Sequence, residues 1–94
     1  MNLRTAKQTF RQAVKARLEE DYVGAAQLAL AVCVYTFTSE AQGSGNLLSK
    51  AYSLLSGLRF DPIPEAQRGA CMQALKEART RFDRTFRNSF KEPV

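Results

Sequence analysis

The sequence predicts a small all-α domain in which four helices form a bundle-like fold, three of them long and one short. Apolar residues recur at the helical period in four successive segments. The stretch Tyr22–Ser39 contains no charged residue and is flanked by charged sequence on both sides, as expected of a central buried helix. The five Gly and three Pro residues cluster at a few points, which favours long helices over a β architecture with many turns.

Length and composition indicate one ordered domain spanning residues 1–94. Apolar residues make up 45% of the chain and charged residues 24%, a balance that argues against wholesale disorder. A chain of this size buries only roughly two-thirds of the surface that it exposes when unfolded. Oligomerisation would therefore help it to bury more apolar surface.

The first helix is predicted from Leu3 to about Glu20. Strong helix formers separate its apolar residues, which lie three or four positions apart. Four basic residues share another face of this helix and form a basic ridge: Arg4, Lys7, Arg11 and Lys15. Acidic residues are unfavourable at a helix C-terminus, so Glu19 and Glu20 predict a break near Asp21. A single kinked helix continuing through this point is the alternative.

The second helix is predicted over Tyr22–Ser39, with Asp21 as its N-cap. Residues 32–38 have strand propensity, so a strand there is an open alternative. Helix is preferred because an alanine-rich and leucine-containing run leads directly into them and no partner strand is evident. The stretch also just reaches the length of a membrane span, but five alanines and several polar residues dilute it, so we expect a buried helix and no membrane insertion.

A loop is predicted over Glu40–Asn46, with Ser44 or Asn46 capping the helix that follows. Its Gly-Ser-Gly sequence resembles a phosphate-binding loop only superficially, because the spacing to a Lys-Ser/Thr pair is absent. The third helix is predicted over Leu47–Leu58, and Gly57 lies near its end.

The fourth helix is predicted from about Pro64 to Asn88, after an extended connection over Arg59–Pro64. An apolar stripe continues to Phe90, and the last residues, Lys91–Val94, are expected to fray. The second half of this helix interleaves phenylalanine with arginine. The side chains selected here as a candidate interaction surface are Phe82, Arg84, Phe86, Arg87 and Phe90.

The composition offers no recognisable catalytic or metal-binding constellation. The absence of histidine removes the commonest general base and the commonest metal ligand. Cys33 and Cys71 lie among apolar residues without metal-ligand spacing, so structural rather than catalytic thiols are expected. We therefore expect a protein that is not an enzyme and has no cofactor. The start of the chain, where polar residues follow Met1, does not resemble a secretory signal, so a reducing cytoplasm is expected.

The net charge of +5 is carried by the two terminal segments, because residues 1–20 and 64–94 each sum to +3 and residues 21–63 to −1. The basic ridge could follow phosphate groups, although a solvated helix face is the commoner explanation. Aromatic residues beside arginine suit protein interfaces or base stacking, whereas ordinary core packing is favoured for Phe82 and Phe86.

We therefore expect a small interaction module, an adaptor, regulator or assembly factor that acts through helix surfaces. A homodimer is expected because the stripe of Phe82, Phe86 and Phe90 is longer than the short third helix can cover. The alternative is a nucleic-acid-binding protein that uses its basic terminal helices. The identity of a protein partner does not follow from the sequence.

Overall fold

The computed structural model describes residues 2–38 and 44–90, with the side chains of 2–38 and 46–83. Its elements, in chain order, are α1 (Leu3–Leu18), α2 (Tyr22–Thr38), α3 (Ser44–Ser56) and α4 (Glu65–Phe90). No strand occurs within those residues, so the predicted all-α class is confirmed and the strand alternative for 32–38 is wrong. The described helices also include none that is long and apolar enough to cross a membrane.

Helix α2 is the centre of the bundle, as its lack of charge predicts. It contacts each of the other three helices, and α1 packs on it most extensively. Six of its residues are buried, and they follow the helical period: Ala25, Ala26, Ala29, Val32, Cys33 and Thr36. The hydroxyl of Thr36 donates to the Cys33 carbonyl at 2.7 Å, so the one polar side chain in this set is satisfied.

The turn between α1 and α2 is closed by backbone hydrogen bonds at the end of α1. The amide of Asp21 donates to the Ala16 carbonyl at 2.8 Å, and that of Glu20 to the Arg17 carbonyl at 3.0 Å. This pair of bonds is the Schellman motif, with Glu20 in the left-handed region at a φ of 62°. The helix therefore ends at Leu18 rather than at Glu20, and the kinked-helix alternative is wrong.

Asp21 caps α2 as predicted, since its Oδ1 accepts from the Gly24 amide at 3.0 Å. Glycine at position 24 leaves room for this cap. A Cβ atom there would collide with the Asp21 carboxylate.

The predicted bounds of α3 and the predicted connection before α4 are wrong. Helix α3 runs over Ser44–Ser56 rather than Leu47–Leu58, so both predicted caps, Ser44 and Asn46, lie in its first turn. The first turn of a helix needs no apolar residue, and for that reason hydrophobic periodicity placed the start too late. The connection before α4 is not extended throughout, because the Ile63 amide donates to the Phe60 carbonyl at 3.0 Å and closes a turn. Ile63 is buried and anchors this turn in the core. Part of the predicted loop (39–43) and the predicted frayed end (91–94) lie outside the described residues.

Helix α4 lies parallel to α2, and two side-chain hydrogen bonds join these helices. The Gln67 amide Nε2 donates to the Val23 carbonyl at 3.1 Å. Fourteen residues further along both helices, Arg81 Nη2 donates to the Phe37 carbonyl at 3.1 Å. The same guanidinium lies 4.8 Å from the centre of the Phe37 ring. Arg81 thus places a cation at the C-terminal end of α2, whose own last turn has no basic residue.

Candidate interaction surface

A groove between α1 and α3 is the candidate interaction surface of the described residues. Both helices pack on α2 and make few contacts with each other. They run in the same direction: Phe10 lines a cavity with Leu47, and further along the Arg17 guanidinium lies beside Gly57. Because α1 and α3 are parallel and both pack on α2 with few contacts between them, a channel remains between α1 and α3. We call this channel the basic groove.

The first part of the basic groove has a volume of about 420 Å³. Its lining combines three cationic side chains with two apolar side chains and one amide. These residues are Lys7, Phe10, Arg11, Asn46, Leu47 and Lys50. Leu47 is buried and Phe10 half-buried, so the apolar residues form the floor and the exposed Lys7, Arg11 and Lys50 form the walls.

A second part, of about 480 Å³, continues along the same two helices and shares Phe10 and Lys50 with the first. Val14 and Leu54 extend the apolar floor, and Arg17 adds a third cation to the wall formed by α1. On α3, two exposed serines, Ser49 and Ser53, line this part together with Lys50. The groove therefore has an apolar floor along its length and basic residues on both sides.

All charged residues that line the groove are basic. None of the residues that line its two parts is acidic. Within the described part of the chain, the ion pair that forms joins Arg81 and Glu77 on α4 at 3.0 Å and involves none of the groove cations. Unpaired like charges that flank a low-dielectric floor concentrate a positive potential in the groove. Such a surface attracts anionic groups.

The groove includes only half of the basic ridge predicted from the sequence. Lys7 and Arg11 line it, whereas Arg4 and Lys15 are exposed on α1 and line neither part. Lys50 and Arg17 join them and were not selected from the sequence. Lys50 is the one charged residue of α3. It could be assigned to a basic surface only once α3 is known to lie beside α1.

The second predicted surface, on α4, is only partly within the described side chains. Phe82 is half-buried and packs edge-to-face on Tyr52 of α3, with ring centres 5.3 Å apart and an angle of 87° between the planes. It thus packs against the core, as favoured from the sequence. Arg84, Phe86, Arg87 and Phe90 belong to the helix, and their side chains lie outside the description, so their role in an interface stays a prediction.

Both cysteines are free and buried in the core. Burial, and to a smaller extent the charge of a nearby Cys71 thiolate, raise the pKa of Cys33 from its ordinary value of 9.0 to about 11. Burial also raises the pKa of Cys71. A raised pKa keeps a thiol protonated and a poor nucleophile at neutral pH.

We expect these thiols to make the fold less stable above pH 9. In the unfolded chain Cys33 loses its proton near pH 9, whereas in the folded chain it keeps the proton to about pH 11. The stability that it contributes is complete below pH 9 and is lost as the pH rises through about 11. Urea unfolding at pH 7, 9 and 11 measures this loss. Cys33→Ala is the control and should lose less stability over the same interval; an equal loss in both proteins would contradict the prediction.

The described residues contain no group of three or more cysteine or acidic side chains that could hold a metal ion. Another cavity of the described residues is a shallow depression of about 740 Å³ on α4 beside Tyr52, with the exposed Met72 in its lining. Its charged residues are of both signs, because Glu77 is acidic and Lys76 and Arg79 are basic.

Comparisons of the chain with protein-family models, with curated proteins and with solved structures find no match.

Proposed function

We propose that this chain is a small, non-enzymatic protein-interaction module, an adaptor, regulator or assembly factor, that acts through its helix surfaces as a homodimer. One observation carries the proposal: the basic groove combines an apolar floor with unpaired cations on both walls. Apolar area that is buried on association drives protein binding, and the charges around it select the partner. Two unpaired thiols would suit a reducing compartment such as the cytoplasm.

Nucleic-acid binding is the second candidate, because all four side chains of the basic ridge are exposed on one helix. Phosphate contacts require cations at the surface and gain nothing from an apolar floor. A nucleic-acid-binding protein would therefore use Arg4 and Lys15 as much as Lys7 and Arg11. A protein partner seated in the groove would depend on Lys7 and Arg11 alone among these four.

Two variants with matched charge separate these functions. The groove variant is K7E/R11E/K50E, and the control variant R4E/K15E/K76E reverses three exposed cations outside the groove. Each variant and the wild type are purified from the cells that produce the chain, with and without nuclease. We expect a protein that copurifies with the wild type and the control after nuclease treatment and is lost from the groove variant.

Two results would contradict the interaction-module function. One is material that nuclease removes from the wild type, and the other is an equal loss in both variants. Circular dichroism shows whether each variant is folded, and substitutions at exposed positions should change stability little.

Self-association is supported by the face of α2 that the other helices leave uncovered. Helices α1 and α4 make no contact with each other within the described residues, so α2 is open between them. This uncovered face consists of Gln27, Val34 and Thr38 and carries no charge, and Val34 is 49% exposed. An uncharged surface with an exposed apolar residue suits a second copy of the same face about a twofold axis.

We expect Val34→Glu to convert a dimer into a monomer, because a twofold interface would bring two carboxylates together. Sedimentation equilibrium at concentrations of about 1–100 µM, the range of typical weak to moderate association, measures this change. Met72→Glu is the control, since Met72 is 59% exposed on α4 and is not part of the uncovered face. A wild-type protein that remains a monomer over the whole range would refute self-association.

A further inference from the structure

We infer that the basic groove accepts one acidic amphipathic α-helix of a partner protein. Such a helix carries an apolar stripe with aspartate or glutamate residues on both sides of it. The inference rests on the proposed function and adds to it the chemistry and the shape of the partner. It follows from the length of the groove, its floor and the positions of its cations.

The length of the groove suits a short helical segment. From Lys7 to Arg17 the α1 wall rises by about 15 Å at 1.5 Å per residue. About three turns of a partner helix would span this distance. A segment of that size presents three or four apolar side chains at positions i, i+3 or i+4, and i+7, as helices bound in grooves do.

The apolar floor of the groove is complementary to the apolar stripe of the partner helix. Phe10 and Val14 are half-buried and pack against the core, so each still offers apolar surface to a ligand. Leu47 and Leu54 lie between α1 and α3 at 4% and 5% exposure and close the bottom of the groove. The apolar surface that a ligand can contact therefore comes mainly from Phe10 and Val14.

The walls provide the charged half. Lys7, Arg11 and Arg17 stand along α1, and Lys50 stands across the groove on α3. Cations on both sides of an apolar strip are complementary to a helix with carboxylates on both sides of its apolar stripe. A basic partner would meet three cations on the α1 wall and Lys50 on the α3 wall, and like charges cost binding energy.

The backbone of the groove favours a helix over an extended peptide. A strand that joins a protein by β-augmentation needs free backbone amides and carbonyls along an edge. The groove is walled by two α-helices, whose backbone groups bond within each helix. A partner helix satisfies its own backbone groups and needs only side-chain contacts, and helices pack at axis distances of about 8–10 Å.

The experiment uses synthetic peptides of about 18 residues, long enough to form a helix on binding. The first peptide has a leucine stripe at the helical period, flanked by glutamates. The second replaces every glutamate by lysine, and the third keeps the composition of the first but scrambles its order. A fluorescein-labelled oligo-dT of similar length is the polyanion probe. Fluorescence anisotropy at low and moderate salt measures binding to the full chain.

We expect the acidic amphipathic peptide to bind and to gain helical circular dichroism as it does so. K7E/R11E/K50E should weaken its binding by at least about tenfold, since several charge contacts become repulsive. R4E/K15E/K76E should weaken it by less than about threefold, because surface charges outside an interface act only at long range. The lysine peptide and the scrambled peptide should bind at least about tenfold more weakly than the first.

Three results would overturn the inference: no binding of the acidic amphipathic peptide, equal binding of the scrambled peptide, or oligo-dT binding with the same dependence on the groove variant. The copurification experiment distinguishes these failures from failure of the proposed function. If no peptide binds while a nuclease-resistant protein still depends on Lys7, Arg11 and Lys50, the partner chemistry is wrong and the interaction function stands. If copurification of that protein does not depend on these residues either, both the inferred partner chemistry and the proposed function are wrong.

Discussion

Leu55→Ala should lower the free energy of unfolding by about 2–5 kcal/mol, because a large buried side chain is replaced by one that leaves a cavity. Leu55 is fully buried and is among the largest side chains that the core encloses completely. It belongs to α3, which contacts all three other helices. A domain of this size has a total stability of about 5–15 kcal/mol, so the substitution removes a large fraction of it.

Urea unfolding followed by circular dichroism measures this loss as a lower midpoint with an unchanged slope. Ser49→Ala is the matched control, because Ser49 is exposed on the same helix. Its effect should stay within about 0.5 kcal/mol of wild type. A loss below about 1 kcal/mol at Leu55 would show that the core around α3 collapses to fill the cavity.

Ala13→Leu should destabilise the fold by about 1–3 kcal/mol or more, through overpacking rather than through a cavity. The residues that α1 buries completely are two alanines, Ala6 and Ala13. The helix packs most extensively on α2, whose buried residues are mainly alanine as well. Small residues on both sides let the two helices lie close together, and a leucine at position 13 would force them apart.

Thermal unfolding provides the measurement, and Ala70→Leu is the control because Ala70 is exposed on α4. The control should melt close to wild type. An unchanged melting temperature for Ala13→Leu would mean that the spacing of α1 and α2 is not set by their alanines. A lowered melting temperature together with weaker peptide binding in the basic groove would show that α1 also positions Lys7 and Arg11.

The central helix could be predicted from the sequence because its signal is local and strong. A stretch without charged residues that begins after Asp21 is expected to be buried in the core of a small protein. Strand propensity over 32–38 left an alternative that local preference alone does not remove. The buried residues Val32, Cys33 and Thr36 follow the helical period, so packing on the neighbouring helices decides in favour of helix.

The boundaries were less predictable because they depend on backbone hydrogen bonds. Glu20 adopts a left-handed conformation in which glycine is the usual residue, and no glycine marks that turn. The early start of α3 likewise lacks an apolar signal, and the turn at Phe60–Ile63 depends on a backbone hydrogen bond that periodicity does not indicate. Periodicity identifies the middle of a helix better than its ends.

Only part of the candidate site could be predicted, because the groove joins residues that are distant in the sequence. The spacing of Lys7 and Arg11 on one helix is a local pattern, and it was found. Lys50 and Arg17 belong to the groove only because α1 and α3 run side by side in the same direction. That relation follows from the packing of both helices on α2, which no single segment of the sequence encodes.

The paired contacts between α2 and α4 restrict how the chain length can change. Gln67 and Arg81 reach Val23 and Phe37, so equal numbers of residues separate the two contacts on each helix. Deleting one residue between them on either helix would turn the rest of that helix by about 100° and shift it by about 1.5 Å. One of the two hydrogen bonds would then be lost. Length variants of this protein should therefore be rejected within Val23–Phe37 and Gln67–Arg81, and the connections between helices are where they should be tolerated best.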